Sequence, residues 1–172
     1  MQTKDRILEA ATSVVARDGS NKLTLEAVAT EAGISKGGLL YHFPSKRALL
    51  EGMLSAMLQR MRVSVAEKRE QDQYCNNFIA AYIDSQLDGS REDGRHILAL
   101  LAAAAQDPTL LADAREQNTQ WLQKATDQSE LATALLLAAH GVRLLDHLQM
   151  LPDAPNQAEH YYQLLARVAE AV

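Results

Sequence analysis

Apolar residues fall at helical spacing from the start of the chain. Ile7, Leu8, Ala11, Val14 and Val15 share one face of a 3.6-residue period, with Lys4, Asp5, Arg6 and Glu9 off it. Thr3 is the expected N-cap, and Asp18-Gly19-Ser20-Asn21 the expected stop. Thr24 then opens a short helix through Leu25, Val28 and Ala29 that ends at Ala32-Gly33. After Ile34, Ser35 caps a second short helix from Lys36 to about His42, which Pro44 prevents from continuing. Two short helices joined by a tight glycine-containing turn have the spacing of a helix-turn-helix. From Ser45 the apolar pattern runs through Leu49, Leu50, Met53, Leu54, Met57, Leu58 and Met61, predicting a long helix to about residue 69.

Further helices are predicted at about 73–88, 93–106, 109–126, 129–150 and 156–171. They are separated by Asp88-Gly89-Ser90, Asp107-Pro108, Asp127-Gln128 and the Pro152 to Pro155 segment. No useful stretch alternates with period two. The expected fold is all-α, with about nine helices: an N-terminal three-helix domain over residues 1–47 and a helical remainder over 48–172.

Charge changes the picture of the first domain. The whole chain of 172 residues carries a formal net charge of −5, which by itself argues against a nucleic-acid partner. Residues 1–47 hold seven Lys and Arg against five Asp and Glu, or +2, and the other 125 hold 10 − 17 = −7. Lys36, His42, Lys46 and Arg47 cluster around the second short helix. Gly37 and Gly38 each cost a helix about 1 kcal/mol relative to alanine, so the pair needs a reason. Close approach of bare backbone to a partner supplies one, a surface loop the alternative. Tyr41, His42 and Lys46 can donate hydrogen bonds to phosphates. Thr24 is read equally as a helix cap or a phosphate contact, Phe43 as core, and Lys22 and Arg47 as solvated charges.

The run Gly33-Ile34-Ser35-Lys36-Gly37, followed by Tyr41-His42-Phe43 and Ser45-Lys46, closely resembles the recognition segment of TetR-family transcriptional repressors. The resemblance covers about residues 3–55, including Thr24-Leu25-Glu26-Ala27-Val28-Ala29. Leu40 departs from it at a position where the family commonly has tyrosine, which puts one hydroxyl contact in doubt. The resemblance implies a homodimer on a palindromic double-stranded DNA operator. Thr24, Ser35, Tyr41, His42 and Lys46 would touch phosphates, and Lys36, Gly37 and Gly38 would lie nearest base edges. It further implies an effector-binding and dimerisation domain in the remaining helices, and an unknown small-molecule effector that releases the repressor from DNA. At 172 residues the chain is short for such a protein, leaving about 125 residues for pocket and interface.

Within that acidic remainder, the helix at 129–150 is apolar over most of its circumference, so burial on more than one side is expected. One side suits a core and the other a second subunit, the alternative being one large monomeric core. Leu137, Gly141, Leu144, Leu148, Tyr161, Leu165 and Val168 are the candidate dimer-interface residues. Met53, Met57, Phe78, Tyr82, Leu101, Trp121 and His140 are candidate pocket-lining residues, against the alternative that they fill a core.

Other chemistry is not indicated. His140 and His147 are seven apart, whereas a helical zinc pair takes i, i+4 spacing, so a polar network with Arg143 and Asp146 is the better reading. Cys75, the one cysteine, has no local companion. No phosphate-binding glycine loop, nucleophile elbow or paired-carboxylate signature occurs, so neither catalysis, a metal nor a cofactor is expected. The longest apolar run, Ile97 to Ala105, is far short of the ~20 residues that span a membrane. The first residues carry charges of both signs and no signal peptide, and a reducing cytoplasm is the expected compartment. The competing function is a helix-turn-helix module that acts through protein partners without an inducer.

Overall fold

A computed structural model describes residues 2–19, 22–87, 104, 107–152 and 156–171. Among them are eight α-helices and no strand. These are α1 (Thr3–Asp18), α2 (Leu25–Glu31), α3 (Lys36–His42), α4 (Lys46–Arg69), α5 (Phe78–Leu87), α6 (Ala112–Gln128), α7 (Glu130–His147) and α8 (Gln157–Ala169). Two short 3₁₀ turns, Asp72–Tyr74 and Pro108–Leu111, precede α5 and α6. The helix expected at 93–106 lies outside the described residues, apart from Ala104, which is helical and buried. Among the described residues no helix is long and apolar enough to cross a membrane.

The described residues form two compact units. One takes residues up to Leu58 together with 107–114, and the other runs from Gln59 to Leu87 and from Arg115 onward. Each has its own core.

In the first unit, α1 buries Ile7, Ala10, Ala11, Val14 and Val15, the stripe its period dictates. The helix starts one residue earlier than the Thr3 cap implies. Asp5 accepts a hydrogen bond from the Gln2 backbone N–H at 3.3 Å, so Gln2 takes the cap position and Thr3 the first turn. Val28, Ala29, Leu39 and Phe43 close over that stripe from α2 and α3. The core continues into α4 through Leu49, Leu50, Met53, Leu54 and Leu58. Gly33 turns the chain between α2 and α3 at φ +64°, a conformation that costs other residues but not glycine. Arg6 secures the same turn by donating to the Ala32 carbonyl at 2.7 Å.

In the second unit, α5 is buried almost all round: Phe78, Ile79, Ala80, Ala81, Tyr82, Ile83 and Ser85 all lie inside. It packs against α7 and α8, which also pack on each other. An amide pair fixes its start. Asn77 caps the Ala80 N–H at 3.0 Å and donates to the Ala169 carbonyl at 2.8 Å, while Gln128 accepts from the Ile79 N–H at 3.1 Å and donates to Asn77 at 2.8 Å. These bonds satisfy backbone groups that a helix end leaves without partners.

Candidate nucleic-acid interface

The first unit holds every residue expected to meet DNA. Thr24 Oγ1 accepts from the Ala27 N–H at 3.1 Å and Ser35 Oγ from the Gly38 N–H at 3.0 Å, so both hydroxyls cap their helices. Both residues are exposed, as are Lys36, Gly37, Tyr41 and Lys46, with Gly38 and His42 half-buried. Tyr41 is 85% exposed, an unusual state for a large aromatic side chain, and it meets the His42 ring edge-on at 5.1 Å. Its neighbour Phe43 turns the other way and is 3% exposed, in the core as the sequence suggests.

The glycine pair is not demanded by the backbone. Neither Gly37 nor Gly38 has a positive φ. A Cβ on Gly37 would meet only Ser35 Oγ, at 4.0 Å, and one on Gly38 the same atom at 3.3 Å. The first unit folds around α3 without needing a missing side chain at Gly37. What the glycine leaves open is the solvent face.

Two charged residues enter here that the sequence pattern does not single out. Glu26 on α2 pairs with Lys36 on α3. Hydrogen bonding from Lys36 holds the Glu26 carboxyl below its usual range. Arg47, expected as a free solvated charge, is instead engaged: it donates to Glu51 at 2.9 Å and to Thr109 Oγ1 at 2.8 Å and pairs with Asp107. No local spacing advertises either partnership except the i, i+4 step from Arg47 to Glu51.

The pocket candidates divide between the two units. Met53 and Met57 pack into the first core. Phe78, Tyr82, Trp121 and His140 come together in the second, around Tyr82. Its ring centroid is 5.2 Å from Trp121, 5.6 Å from His140 and 6.2 Å from Phe78. Leu101 lies outside the described residues. Burial pushes the Tyr82 phenol far up, with Arg143 opposing. Burial, and then the Arg143 charge, hold the His140 imidazole below its ordinary value. The His140–Arg143–His147 neighbourhood is a polar network, Arg143 Nε lying 3.4 Å from His147 Nε2. Among the described residues no three of His, Cys, Asp and Glu gather as metal ligands would.

The interface candidates lie mainly on one open apolar face. Leu137, Leu144, Leu148 and Val168 are 53%, 46%, 45% and 45% exposed, and nothing lies within 4 Å of a Cβ built on Gly141. Tyr161 and Leu165 are half-buried, Leu165 against the second core. The opposite side of α7 buries Ala132, Leu135, Leu136 and Ala139. One side of the apolar helix therefore fills a core and the other meets solvent in the single chain.

Two family models cover most of the chain. The one described as bacterial regulatory proteins of the tetR family matches residues 7–53, and the one described as the tetracyclin repressor-like C-terminal domain matches residues 76–170. The chain belongs to the TetR family. Among TetR-family and related regulators it is 28% identical over 114 residues to the HTH-type transcriptional regulator CymR of Pseudomonas putida, covering 64% of this chain and 55% of CymR. With RutR of Escherichia coli K12 it shares 37% over 89 residues, 52% of this chain and 42% of RutR. The chain thus spans about half the length of these curated relatives. A putative transcriptional regulator from Saccharomonospora viridis, solved in complex with choline, matches 97% of this chain and 95% of its own at a TM-score of 0.75. At 21% identity that likeness shows the fold alone.

Proposed function

We propose that this TetR-family chain is a repressor that binds a palindromic operator as a homodimer and is released by a small-molecule effector. Residues 1–47 read the DNA, and 48–172 bind the effector and pair the protomers. It works in the cytoplasm and catalyses no reaction. The observation that carries the DNA-reading role is α3, whose Gly37 is exposed, conformationally unnecessary and flanked by Lys36, Tyr41 and His42. A helix without side chains at its outer face lets backbone approach base edges. In this reading Lys36, Gly37 and Gly38 lie nearest base edges, where a lysine can reach guanine O6 and N7, and Thr24, Ser35, Tyr41, His42 and Lys46 meet phosphates.

Pairing is supported by the open face of Leu137, Gly141, Leu144 and Leu148 on and after α7, with Tyr161, Leu165 and Val168 on α8. Pairing through that face would give the dimer two α3 helices, one for each half-site of a palindrome whose successive major grooves lie about 34–36 Å apart. The effector would favour a spacing that no longer matches, shifting the population away from the DNA-competent state. Phe78, Tyr82, Trp121 and His140, gathered around the Tyr82 ring, support an effector site in the second unit.

A gel-shift series on the intergenic DNA flanking the coding sequence tests the reading. Binding should be sequence-selective, should fall steeply with salt, and should weaken when Lys36 and Lys46 become alanine. Weak binding indifferent to salt and to both substitutions would favour a module that acts through protein partners.

A further inference from the structure

The second unit holds positive charge that its described residues do not neutralise. Arg143 on α7 is half-buried. Its Nη1 donates to Gln86 Oε1 at 2.8 Å and reaches Met61 Sδ at 3.5 Å. Both acceptors are neutral, and Nε donates to His147 Nε2 at 3.4 Å. No carboxylate among the described residues lies within ion-pair distance of Arg143, Asp146 one turn on included. Arg62 repeats the theme by donating to the side-chain oxygen of buried Gln117. A half-buried guanidinium met by amides, an imidazole and a thioether lacks the carboxylate that such charges ordinarily find.

Beside it stands an unused donor. Tyr82 is completely buried, and its hydroxyl has no hydrogen-bond partner among the described residues. Arg143 acts on that phenol through its charge and as a donor facing its oxygen, so the phenol's own proton is what lacks an acceptor among the described residues. A buried hydroxyl left without a partner costs about 1–3 kcal/mol and calls for an explanation. The neighbouring His140 supplies no balancing negative charge. The Tyr82 ring lies near both Trp121 and Phe78, an aromatic wall next to a guanidinium without a carboxylate and a hydroxyl without an acceptor.

We propose that the effector of this chain is an aromatic carboxylate, its carboxylate taken by the Arg143 guanidinium and the Tyr82 hydroxyl and its ring set against Trp121. This rests on the reading of the second unit as the effector domain. An acid of this kind satisfies both orphan features at once. Its two oxygens accept from the guanidinium and the phenol, and its ring is apolar enough to sit among Phe78 and Trp121.

Trp121 is the chain's one tryptophan, so its fluorescence reports the site directly. Benzoate, benzamide and benzylamine, similar in size and differing in charge, are titrated against the full chain at millimolar concentrations. Benzoate should shift Trp121 emission with about tenfold tighter binding than benzamide, and benzylamine should bind more weakly than either. Arg143→Gln should abolish the preference of benzoate over benzamide. Tyr82→Phe should weaken benzoate while leaving the ligand-free chain at least as resistant to heat as the parent, because it removes a hydroxyl that has no partner. A preference for the amide or the amine, or a benzoate preference that survives Arg143→Gln, overturns the carboxylate assignment and leaves the effector-domain reading standing. Silence from all three probes, in protein whose circular dichroism shows it folded, overturns both.

Discussion

The Arg47 guanidinium pairs with the Asp107 carboxylate, 60 residues further along the chain. Asp107 also caps the Thr109 N–H at 3.1 Å, and Arg47 donates to the Thr109 hydroxyl. The segment leading into α6 is thereby fastened to the first turn of α4, directly after Lys46. Hydrogen bonds from Thr109 come first, and Arg47 adds to them, in holding the Asp107 carboxyl below its usual range. The pair is largely exposed, so solvent screening leaves it little net worth to stability. Its larger consequence is electrostatic: Asp107 occupies a cation beside a proposed phosphate contact. Asp107→Asn should leave the melting temperature nearly unchanged and steepen the salt dependence of DNA binding by about one phosphate equivalent. A log–log plot of affinity against salt checks this, and an unchanged slope would count against it.

Gly37→Ala separates folding from recognition. The backbone at Gly37 is ordinary helix and a Cβ there has room. Replacing glycine in a helix removes about 1 kcal/mol of conformational cost. The variant should therefore melt higher than the parent and bind its operator more weakly, because the added methyl stands where bases approach. Thermal denaturation and gel-shift on the same preparation read the two effects. Tighter or equal operator binding would remove the reason given for the glycine.

Gly52→Ala predicts the opposite sign for stability. A Cβ at Gly52 on α4 would lie 2.5 Å from Phe43 Cε1 and 3.3 Å from Leu8 Cδ2. Phe43 is buried, so its ring has little freedom to withdraw. Overpacking of this kind costs about 1–3 kcal/mol, which a urea titration would register as a lower midpoint. The second unit's α5–α7–α8 packing does not include this contact.

The helices were legible wherever burial repeats with the helical period. The bounds of α2 and α3 follow from Thr24 and Ser35, whose side chains perform the capping that their positions suggest. The expected long helix at 129–150 is one element through His147, with Leu148 just beyond it. The α5 region was less legible. Asn77 ends a short irregular stretch because its amide is committed to Ala80 and Ala169, a choice made by a residue 92 positions away. The same holds for the site. The motif Ser35-Lys36-Gly37 identifies the recognition helix locally, whereas Glu26–Lys36, Arg47–Asp107 and Arg143–Gln86 join residues 10, 60 and 57 apart that no short period connects. Met53 and Met57 illustrate the converse. Their spacing suits a pocket wall or a core equally, and they pack into the first core.

The open face of α7 predicts an oligomer that one substitution should dissolve. Leu137 and Leu144 lie seven apart on the same face and are both about half exposed in the single chain. Leu137→Glu places a charge where a second copy would bury it, yet at a site exposed in the protomer such a change costs the fold only about 0.5 kcal/mol. Light scattering coupled to size exclusion should give a dimer for the parent and a monomer for the variant, with unchanged helical circular dichroism. Operator affinity should fall with it, since each half-site is then bound alone. A variant that stays dimeric would move the interface elsewhere.

His140 predicts how the second unit responds to acid. Burial first, and the Arg143 charge second, lower its pKa from the ordinary 6.5. In the unfolded chain neither influence operates, so as pH falls through about 6.5 the unfolded state takes up the proton before the native state does. Stability is therefore full above that value, declines below it, and the loss is complete once pH passes beneath the native pKa. Glu26 and Asp107 are also shifted downward, but from 4.5 and 3.8, so their contributions disappear only in stronger acid. Melting temperatures measured between about pH 7 and pH 5 should fall for the parent, and His140→Gln should flatten that part of the curve. Arg143→Gln should shrink the fall without removing it, because burial is the larger cause and remains. An equally steep fall in His140→Gln would assign the acid sensitivity to another group.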